Sequence, residues 1–316
     1  MKIKLKGIWE ILKNSFSGFS NDKIMKLSAA LAYYTVFSVG PLLIVVVAIC
    51  SIFFGREAIE GTIYGQIQGF VGADAATQLQ EIIKNAAIGG KGKVAFGIGI
   101  ATLLIGATSM FAEMQDSINM IWGLKAKPQK KAWVILIKNR LLSFGVIGSL
   151  GFLLLVSLSV SGVVDALSTR LQAHFHNVAV VAFYIINLVI TFGVIATLFA
   201  VIFRVLPDAK IKWKDVMAGA IATAVLFMLG KFAISFYISK SNVGSTYGTA
   251  GSLVVLLVWI YYSSVILYFG AEFTKAYAIK YGDSIRPNDY AVVTKTIQVD
   301  EGKKSLQEVY KEKQEK

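Results

Sequence analysis

Residues 27–55, LSAALAYYTVFSVGPLLIVVVAICSIFFG, form an apolar run that decides the class of this protein. The run contains no charged residue and lies between Lys26 and Arg56. An α-helix needs about 20 apolar residues to cross the hydrocarbon core of a membrane, so this run is long enough to span it. The whole chain of 316 residues is 55% hydrophobic and only 16% charged, whereas soluble domains carry about 25% charged residues. The sequence therefore predicts an integral membrane protein.

Five further apolar runs follow the first one. We predict an all-α, polytopic protein with six transmembrane helices, at Leu27–Phe54, Val94–Trp122, Leu136–Val164, Asn177–Phe203, Asp215–Ser239 and Thr249–Ala278. These helices form a transmembrane domain over residues 27–280. A basic amphipathic segment, residues 1–26, precedes the domain, and a cytoplasmic polar tail, residues 281–316, follows it.

The basic residues are unevenly divided between the two sides of the predicted membrane domain. An even number of spans places both termini on one side, and that side carries 25 of the 32 Lys and Arg residues, against 7 on the other. Cytoplasmic loops of membrane proteins carry an excess of Lys and Arg, so we predict that both termini are cytoplasmic. The same distribution accounts for the net charge of +13 without a nucleic-acid partner.

Two segments outside the spans have the spacing of interfacial amphipathic helices. In residues 1–20, six apolar side chains recur at helical spacing among lysines: Leu5, Ile8, Trp9, Leu12, Phe16 and Phe19. This pattern predicts a helix on the anionic inner leaflet, although a helix packed against cytoplasmic loops has the same pattern. Residues 56–90 carry two apolar stripes, which predict two short interfacial helices on the outer side.

Ionisable and polar side chains within the spans are the first group of candidate functional residues, because charge inside a membrane is costly. Glu113 and Asp116 share one face of the second helix, and Arg140 and Glu272 lie at similar depths on other helices. They predict a polar cavity near the cytoplasmic side, with Arg140 the best partner for either acid. Ion pairs that fix helix packing are the alternative. Asn119 is expected to form an interhelical hydrogen bond.

A second group of candidates lies near the outer side. Lys231 interrupts the fifth span, and the glycine-rich turn at residues 241–251 contains Tyr247 and Gly248. We hypothesise that the turn folds inward and that Lys231 faces it, where it could attract an anionic head group. A tight external loop and a lysine that extends to the interface are the alternatives. Pro41 removes a backbone donor and predicts a kink in the first helix.

The sequence lacks the patterns of an enzyme. His174 and His176 are the only histidines, and no acid or cysteine beside them completes a metal site. Cys50 is the only cysteine, so no internal disulfide and no cysteine-based metal site can form. No nucleophile elbow, phosphate-binding loop or metalloprotease motif occurs. We therefore expect no catalytic residue, no metal and no cofactor.

Several motifs resemble the YihY / virulence factor BrkB family. The residues that carry the resemblance are AALAYYTVFSVGPLL at 29–43, SMF at 109–111, QDSINMIW at 115–122, LPD at 206–208, KIKW at 210–213, Gly219-Ala, Gly230-Lys, Tyr247-Gly and Gly270-Ala-Glu. The resemblance implies a bacterial inner-membrane protein with six spans. Members have also been labelled a tRNA-processing ribonuclease, a label widely regarded as a misassignment, so the resemblance implies no settled activity.

Three function classes follow from these observations. The first is a protein that transports or handles a lipid or another amphipathic anionic substrate. The second is a non-catalytic membrane scaffold or envelope-assembly factor, whose polar residues serve packing. The third, a membrane-bound hydrolase or nuclease, has the least support because clustered carboxylates facing water are missing. The expected partners are membrane lipids, and a homo-oligomer or envelope proteins remain open as further partners.

Overall fold

The computed structural model describes residues 5–38, 77, 109–127, 178–240, 251–283 and 285–294. Several predictions fall outside these residues: the third span with Arg140, the kink at Pro41, the external segment apart from Thr77, the turn with Tyr247 and Gly248, and the end of the tail.

Three long helices dominate the described part of the chain. They are α4 (Val178–Val205), α5 (Trp213–Lys240) and α6 (Gly251–Tyr281). Each contains a stretch that is long and apolar enough to cross a membrane, at Leu188–Val205, Trp213–Ile234 and Leu253–Tyr281. The predicted fourth, fifth and sixth spans are therefore confirmed as helices of this kind. The total of six spans and the orientation of the termini stay predictions.

Three shorter helical stretches complete the helical part. Helix α1 covers Leu5–Asn21, α2 is helical over 24–38, and α3 is helical over 109–121. Lys23, in the turn between α1 and α2, has a positive φ of 53°, a backbone conformation that separates the two helices. Helix α2 begins the predicted first span, and α3 forms the last part of the predicted second span.

Helix α5 packs against both α4 and α6. Phe227 on α5 joins the three helices, because its ring centroid lies 5.9 Å from that of Phe199 on α4 and 6.4 Å from that of Trp259 on α6. The α5–α6 pair also uses two matching Gly-x-x-x-Thr segments. Gly219 on α5 leaves room for Thr274 on α6, and Gly270 on α6 leaves room for Thr223 on α5. Glycine at these two positions permits the close approach of the backbones.

Helix α1 packs against α6 through a face that the apolar pattern did not indicate. Gly7 lies under the Tyr281 hydroxyl, and Gly18 lies under the Glu272 carboxyl. Part of the predicted apolar stripe points elsewhere, since Ile8 and Trp9 are exposed. The rings of Phe16 and Phe19 instead contact Phe269 on α6, at centroid distances of 5.1 Å and 6.2 Å. The helix therefore combines a small-residue face on the protein with an apolar face that is available to lipid.

Four short strands correct the all-α prediction. Strand β1 (Leu124–Ala126) pairs antiparallel with β4 (Ala291–Val293), and β2 (Ala209–Lys210) pairs antiparallel with β3 (Arg286–Pro287). Strands of two or three residues are too short to show an alternating pattern, so no periodicity along the chain predicts them. The fold is mostly helical, and the first part of the polar tail joins the loops that follow α3 and α4.

Candidate functional site

Polar side chains meet in an open cleft where several helices end. The ends of α3, α4 and α6 lie together with the start of α5 and the α1–α2 turn. The cleft has a volume of about 830 Å³, and its polar lining residues are Asp22, Gln115, Asp116, Asn119, Lys125, Asp208, Lys275 and Thr294. These ends belong to the side that carries the excess of basic residues.

Asp208 is the most buried carboxylate of the cleft, with 3% of its surface exposed. Asn119 Nδ2 donates to Asp208 Oδ2 at 2.8 Å, and Gln115 Nε2 donates to Asp208 Oδ1 at 3.0 Å. The Tyr290 hydroxyl donates to Oδ1 as well, at 3.0 Å. Three side-chain donors offset the cost of burying this charge.

Local sequence explains why Asp208 reaches this position. Helix α4 ends at Val205, and Pro207 cannot continue a helix because it lacks a backbone donor. The chain bends there and presents Asp208 to α3. The backbone of Asn288 donates to the Asp208 carbonyl at 2.9 Å, which ties the tail to the same bend. Burial, and then the nearby Asp208 carboxylate, raise the pKa of the Tyr290 hydroxyl.

Lys275 joins three elements on the other side of the cleft. Its Nζ donates to the Ile121 carbonyl at 2.5 Å, and it lies 3.4 Å from Asp22 Oδ2 and 3.3 Å from Glu272 Oε2. Glu272 is 2% exposed. Trp122 Nε1 donates to the Ala271 carbonyl at 3.1 Å, so the end of α3 is attached to α6 at two points.

Ion pairs surround the cleft at the ends of the helices. Lys280 on α6 binds Glu10 on α1, and Lys212 binds Asp283. The hydrogen bond and charge of Lys280 lower the pKa of Glu10, and the hydrogen bond and charge of Asp283 raise the pKa of Lys212. Glu10, Lys212 and Asp283 have largely exposed side chains, so each contact contributes little free energy alone.

The structure brings some of the predicted site residues together. Asp116 and Asn119 line the cleft, and Glu272 lies beside it through Lys275. Asn119 forms the interhelical type of hydrogen bond that was expected, although its partner is the bend after α4. Glu113 accepts a hydrogen bond of 3.4 Å from Ser117 on its own helix. Its pairing, and that of Asp116, with Arg140 stays a prediction because Arg140 lies outside the described residues.

Lys231 does not belong to this cleft. It lies on α5, 18 residues after Trp213, which corresponds to about 27 Å along the helix. Its side chain is half-buried, and the preceding Gly230 leaves room for the Tyr262 hydroxyl. Tyr247 and Gly248, the expected neighbours of Lys231, lie outside the described residues.

Sequence reasoning missed Tyr290, which donates to Asp208, and several residues that line the cleft, namely Asp22, Gln115, Lys125, Asp208 and Lys275. Except for Gln115, which lies within α3, they lie near helix ends, in loops or in a short strand, where charged and polar residues are common and give no distinctive signal. The LPD segment was noticed only for its resemblance to a family. A proline that ends an apolar helix directly before an acid was the one local signal that could have identified Asp208.

Comparisons with known proteins agree with the membrane character of the chain. The family model described as virulence factor BrkB matches residues 15–292. A UPF0761 membrane protein of Rhodospirillum centenum is 29% identical over 272 residues, which are 84% of this chain and 56% of the relative. One of Stenotrophomonas maltophilia strain K279a is 30% identical over 82% of this chain and 59% of its own length. A UPF0761 membrane protein of Vibrio vulnificus strain YJ016 is 28% identical over 81% of this chain and 79% of its own length.

The chain thus spans 56% of the length of the R. centenum relative and a larger part of the V. vulnificus relative. No solved structure matches the chain.

Proposed function

The chain belongs to the virulence factor BrkB family and is an integral membrane protein, and we propose that it binds an anionic lipid in the cleft and moves it through the membrane. The observation that carries this proposal is the cleft itself. It has about 830 Å³ of open volume at the ends of helices that are apolar enough to span a membrane. Such a position is accessible both to a head group in water and to acyl chains in lipid.

The lining of the cleft has the two kinds of surface that an amphipathic molecule needs. Met120, Ile121 and Leu124 supply apolar surface, and Lys125 supplies positive charge. Lys125 is exposed on β1, at the mouth of the cleft, so it is available to a head-group phosphate.

The acids of the cleft do not oppose an anionic ligand as strongly as their number suggests. Asp208 already accepts three side-chain hydrogen bonds, and Asp22 is paired with Lys275. Asp116 is the exposed acid of the cleft. It would favour head groups that also carry a hydroxyl or an amine near the phosphate, which is a basis for selectivity.

The proposal includes a location and an orientation. The family favours a location in a bacterial inner membrane, and the basic excess favours cytoplasmic termini and a cleft that opens to the cytoplasm. We propose no catalytic step, because lipid movement requires a path and not a reaction.

Lipid binding is tested with the purified full-length protein and a matched pair of variants. Native mass spectrometry would compare retention of phosphatidylglycerol and phosphatidylcholine by the wild type, Lys125→Gln and Lys127→Gln. Both lysines are exposed and lie two residues apart, but only Lys125 lines the cleft. We expect the wild type and Lys127→Gln to prefer phosphatidylglycerol and Lys125→Gln to lose the preference. If both variants lose the preference for phosphatidylglycerol to the same extent, surface charge alone attracts the lipid.

Lipid movement is tested in vesicles that contain the protein. A fluorescent phosphatidylglycerol would cross the bilayer faster with the wild type than in protein-free vesicles, and Lys125→Gln would slow it. Preferential binding without faster crossing would refute transport.

A scaffold is the second candidate, and one observation favours it. Asn119, Gln115 and Asp208 use their polar atoms on one another, and Trp122 donates to the α6 backbone. These bonds fix the ends of the helices whether or not a ligand is present. The scaffold function would be supported if the protein shows no lipid preference in the binding test and still complements a strain from which its gene is deleted.

A further inference from the structure

Glu272 is a buried carboxyl group with one unsatisfied oxygen. Its side chain is 2% exposed, and its Oε2 lies 3.3 Å from Lys275 Nζ. Its Oε1 is also buried and accepts no hydrogen bond from any residue that the structure describes. An ionised carboxylate normally accepts several hydrogen bonds when it is buried, and an unsatisfied one carries a large desolvation cost.

Lys275 has no donor left for this oxygen. An ammonium group has three N–H bonds, and Lys275 has three partners: the Ile121 carbonyl, Asp22 and Glu272 Oε2. Two carboxylates therefore share a single positive charge. One negative charge is left over beside a buried, unsatisfied oxygen.

The surroundings of Glu272 offer no second positive charge that would correct this imbalance among the described residues. Gly18 covers the carboxyl, since a Cβ on Gly18 would lie 2.5 Å from Oε2. The charged groups on the elements packed around it are Lys6, Glu10 and Lys13 on α1, Asp22 and Lys23 in the turn, Lys26 on α2, Glu113 and Asp116 on α3, Lys214, Asp215, Lys231 and Lys240 on α5, and Lys275 and Lys280 on α6. Of these, Asp22 and Lys275 act on the Glu272 carboxyl.

We propose that Glu272 binds a proton from the water of the cleft and shares it with Asp22. A hydronium ion in the water of the cleft gives one proton to the Glu272 carboxylate. One O–H bond of the hydronium breaks and leaves water, and one O–H bond forms on Glu272, which becomes neutral; the reverse step re-forms the hydronium. The new O–H donates to the Asp22 carboxylate, and Lys275 then balances a single negative charge. Asp22 and Lys275 line the cleft, which gives the proton a path.

The proton would change the contact between α6 and the α1–α2 turn. In the ionised state, Glu272 and Asp22 both hold Lys275, so α6 is bonded to the α1–α2 turn through the ammonium. In the protonated state, the turn is bonded to α6 directly through the carboxyl pair. This site does not depend on the lipid proposal, because proton binding is defined without reference to what the protein moves.

Infrared spectroscopy of the full-length protein in lipid tests the site directly. A protonated carboxyl has a C=O stretching band that a carboxylate lacks. We expect the spectrum of the wild type near neutral pH to contain a band that is missing in Glu272→Gln and shifted in Glu272→Asp. Glu10→Gln is the matched control, because Glu10 also lies between α1 and α6 but is exposed, and it should keep the band.

A titration distinguishes a shared proton from a single protonated side chain. Asp22→Asn removes the second carboxylate, so the band should disappear at a pH lower by about one unit or more. Size-exclusion profiles and thermal midpoints of each variant show whether it is folded. The same spectrum in wild type and folded Glu272→Gln would overturn the proton site. If the band disappears at the same pH in Asp22→Asn as in the wild type, the sharing of the proton with Asp22 is overturned.

Discussion

Asn119 and Asp208 are joined by two hydrogen bonds of 2.8 Å, although 89 residues separate them in the sequence. The Asn119 amide donates to the Asp208 carboxylate, and its carbonyl oxygen accepts from the Asp208 backbone N–H. The pair thereby holds the end of α3 to the bend after α4. Because both residues line the cleft, its inner surface has a fixed shape.

Loss of the Asn119 side chain should destabilise the protein strongly. Asn119→Ala removes one donor to the buried carboxylate and one acceptor of its backbone, so we expect a loss of about 3 kcal/mol in the free energy of unfolding. Tyr290→Phe removes one of three donors and should cost about 1 kcal/mol. Denaturation in mixed micelles measures both. Asp289→Ala is the control, since its pair with Lys210 is exposed and should contribute less than about 0.5 kcal/mol. An Asn119→Ala loss no larger than this control would disprove the structural role.

Gly18 should tolerate no side chain. An added Cβ would lie 2.5 Å from Glu272 Oε2 and 2.6 Å from its Cδ, so Gly18→Ala must displace either the buried Glu272 carboxyl or α1 itself. We expect a loss of about 1–3 kcal/mol in stability. Gly193→Ala on α4 is the matched control, because no atom lies within 4 Å of its Cβ position and alanine suits a helix better. Thermal midpoints that fall equally in both variants would contradict the close contact.

The membrane helices could be predicted from the sequence because their signal is local. Uncharged runs such as Leu188–Val205 determine a span by length and hydropathy alone, whatever lies beside them. Asn119 could be identified because its signal is also local. A polar amide in a predicted membrane span is unusual, and this can be seen without knowing which residue it contacts.

The cleft could not be predicted because its residues are defined by their partners. Lys275 lies near the end of α6, where lysine is common, and only the contacts with Asp22, Glu272 and Ile121 distinguish it. Tyr290 lies in a polar tail and reaches Asp208 through two short strands. Pairings over so many residues depend on tertiary structure, which no period in the sequence encodes.

The contact between α1 and α6 should weaken in acid. Lys280 lowers the pKa of Glu10 below its usual 4.5, so the pair stabilises the folded state above that pH. The contribution is lost as the pH falls through the lowered folded-state pKa, because the folded protein must then take up the proton. The thermal midpoint of the wild type should exceed that of Glu10→Gln by a small amount at neutral pH. The difference should close below about pH 4.5. A difference that persists at low pH would mean that charge plays no part.

Lys231 should matter for function more than for stability. It is half-buried on a spanning helix, about 27 Å from the start of α5, where a head group on the far side of the membrane could reach it. Lys231→Met should impair complementation while insertion and thermal midpoint change little. Lys240→Met, at the exposed end of the same helix, should behave as the wild type. Loss of folded protein in step with loss of function would instead indicate packing, and full complementation would remove Lys231 from the candidates.

The orientation of the chain is tested by reporter fusions. Of the Lys and Arg residues, 25 lie on one predicted side and 7 on the other, so fusions after Trp122 and Lys212 should read cytoplasmic. Fusions after Phe54 and Leu171 should read external.

The structure makes two of these fusions dependent on each other. Trp122 precedes β1 and Lys212 follows β2, and both strands pair with the tail segment that contains β3 and β4. The two positions must therefore lie on one side, whichever side it is. An external reading at both would reverse the orientation and leave the fold intact. Opposite readings at Trp122 and Lys212 would contradict the strand pairing and the six-span arrangement together.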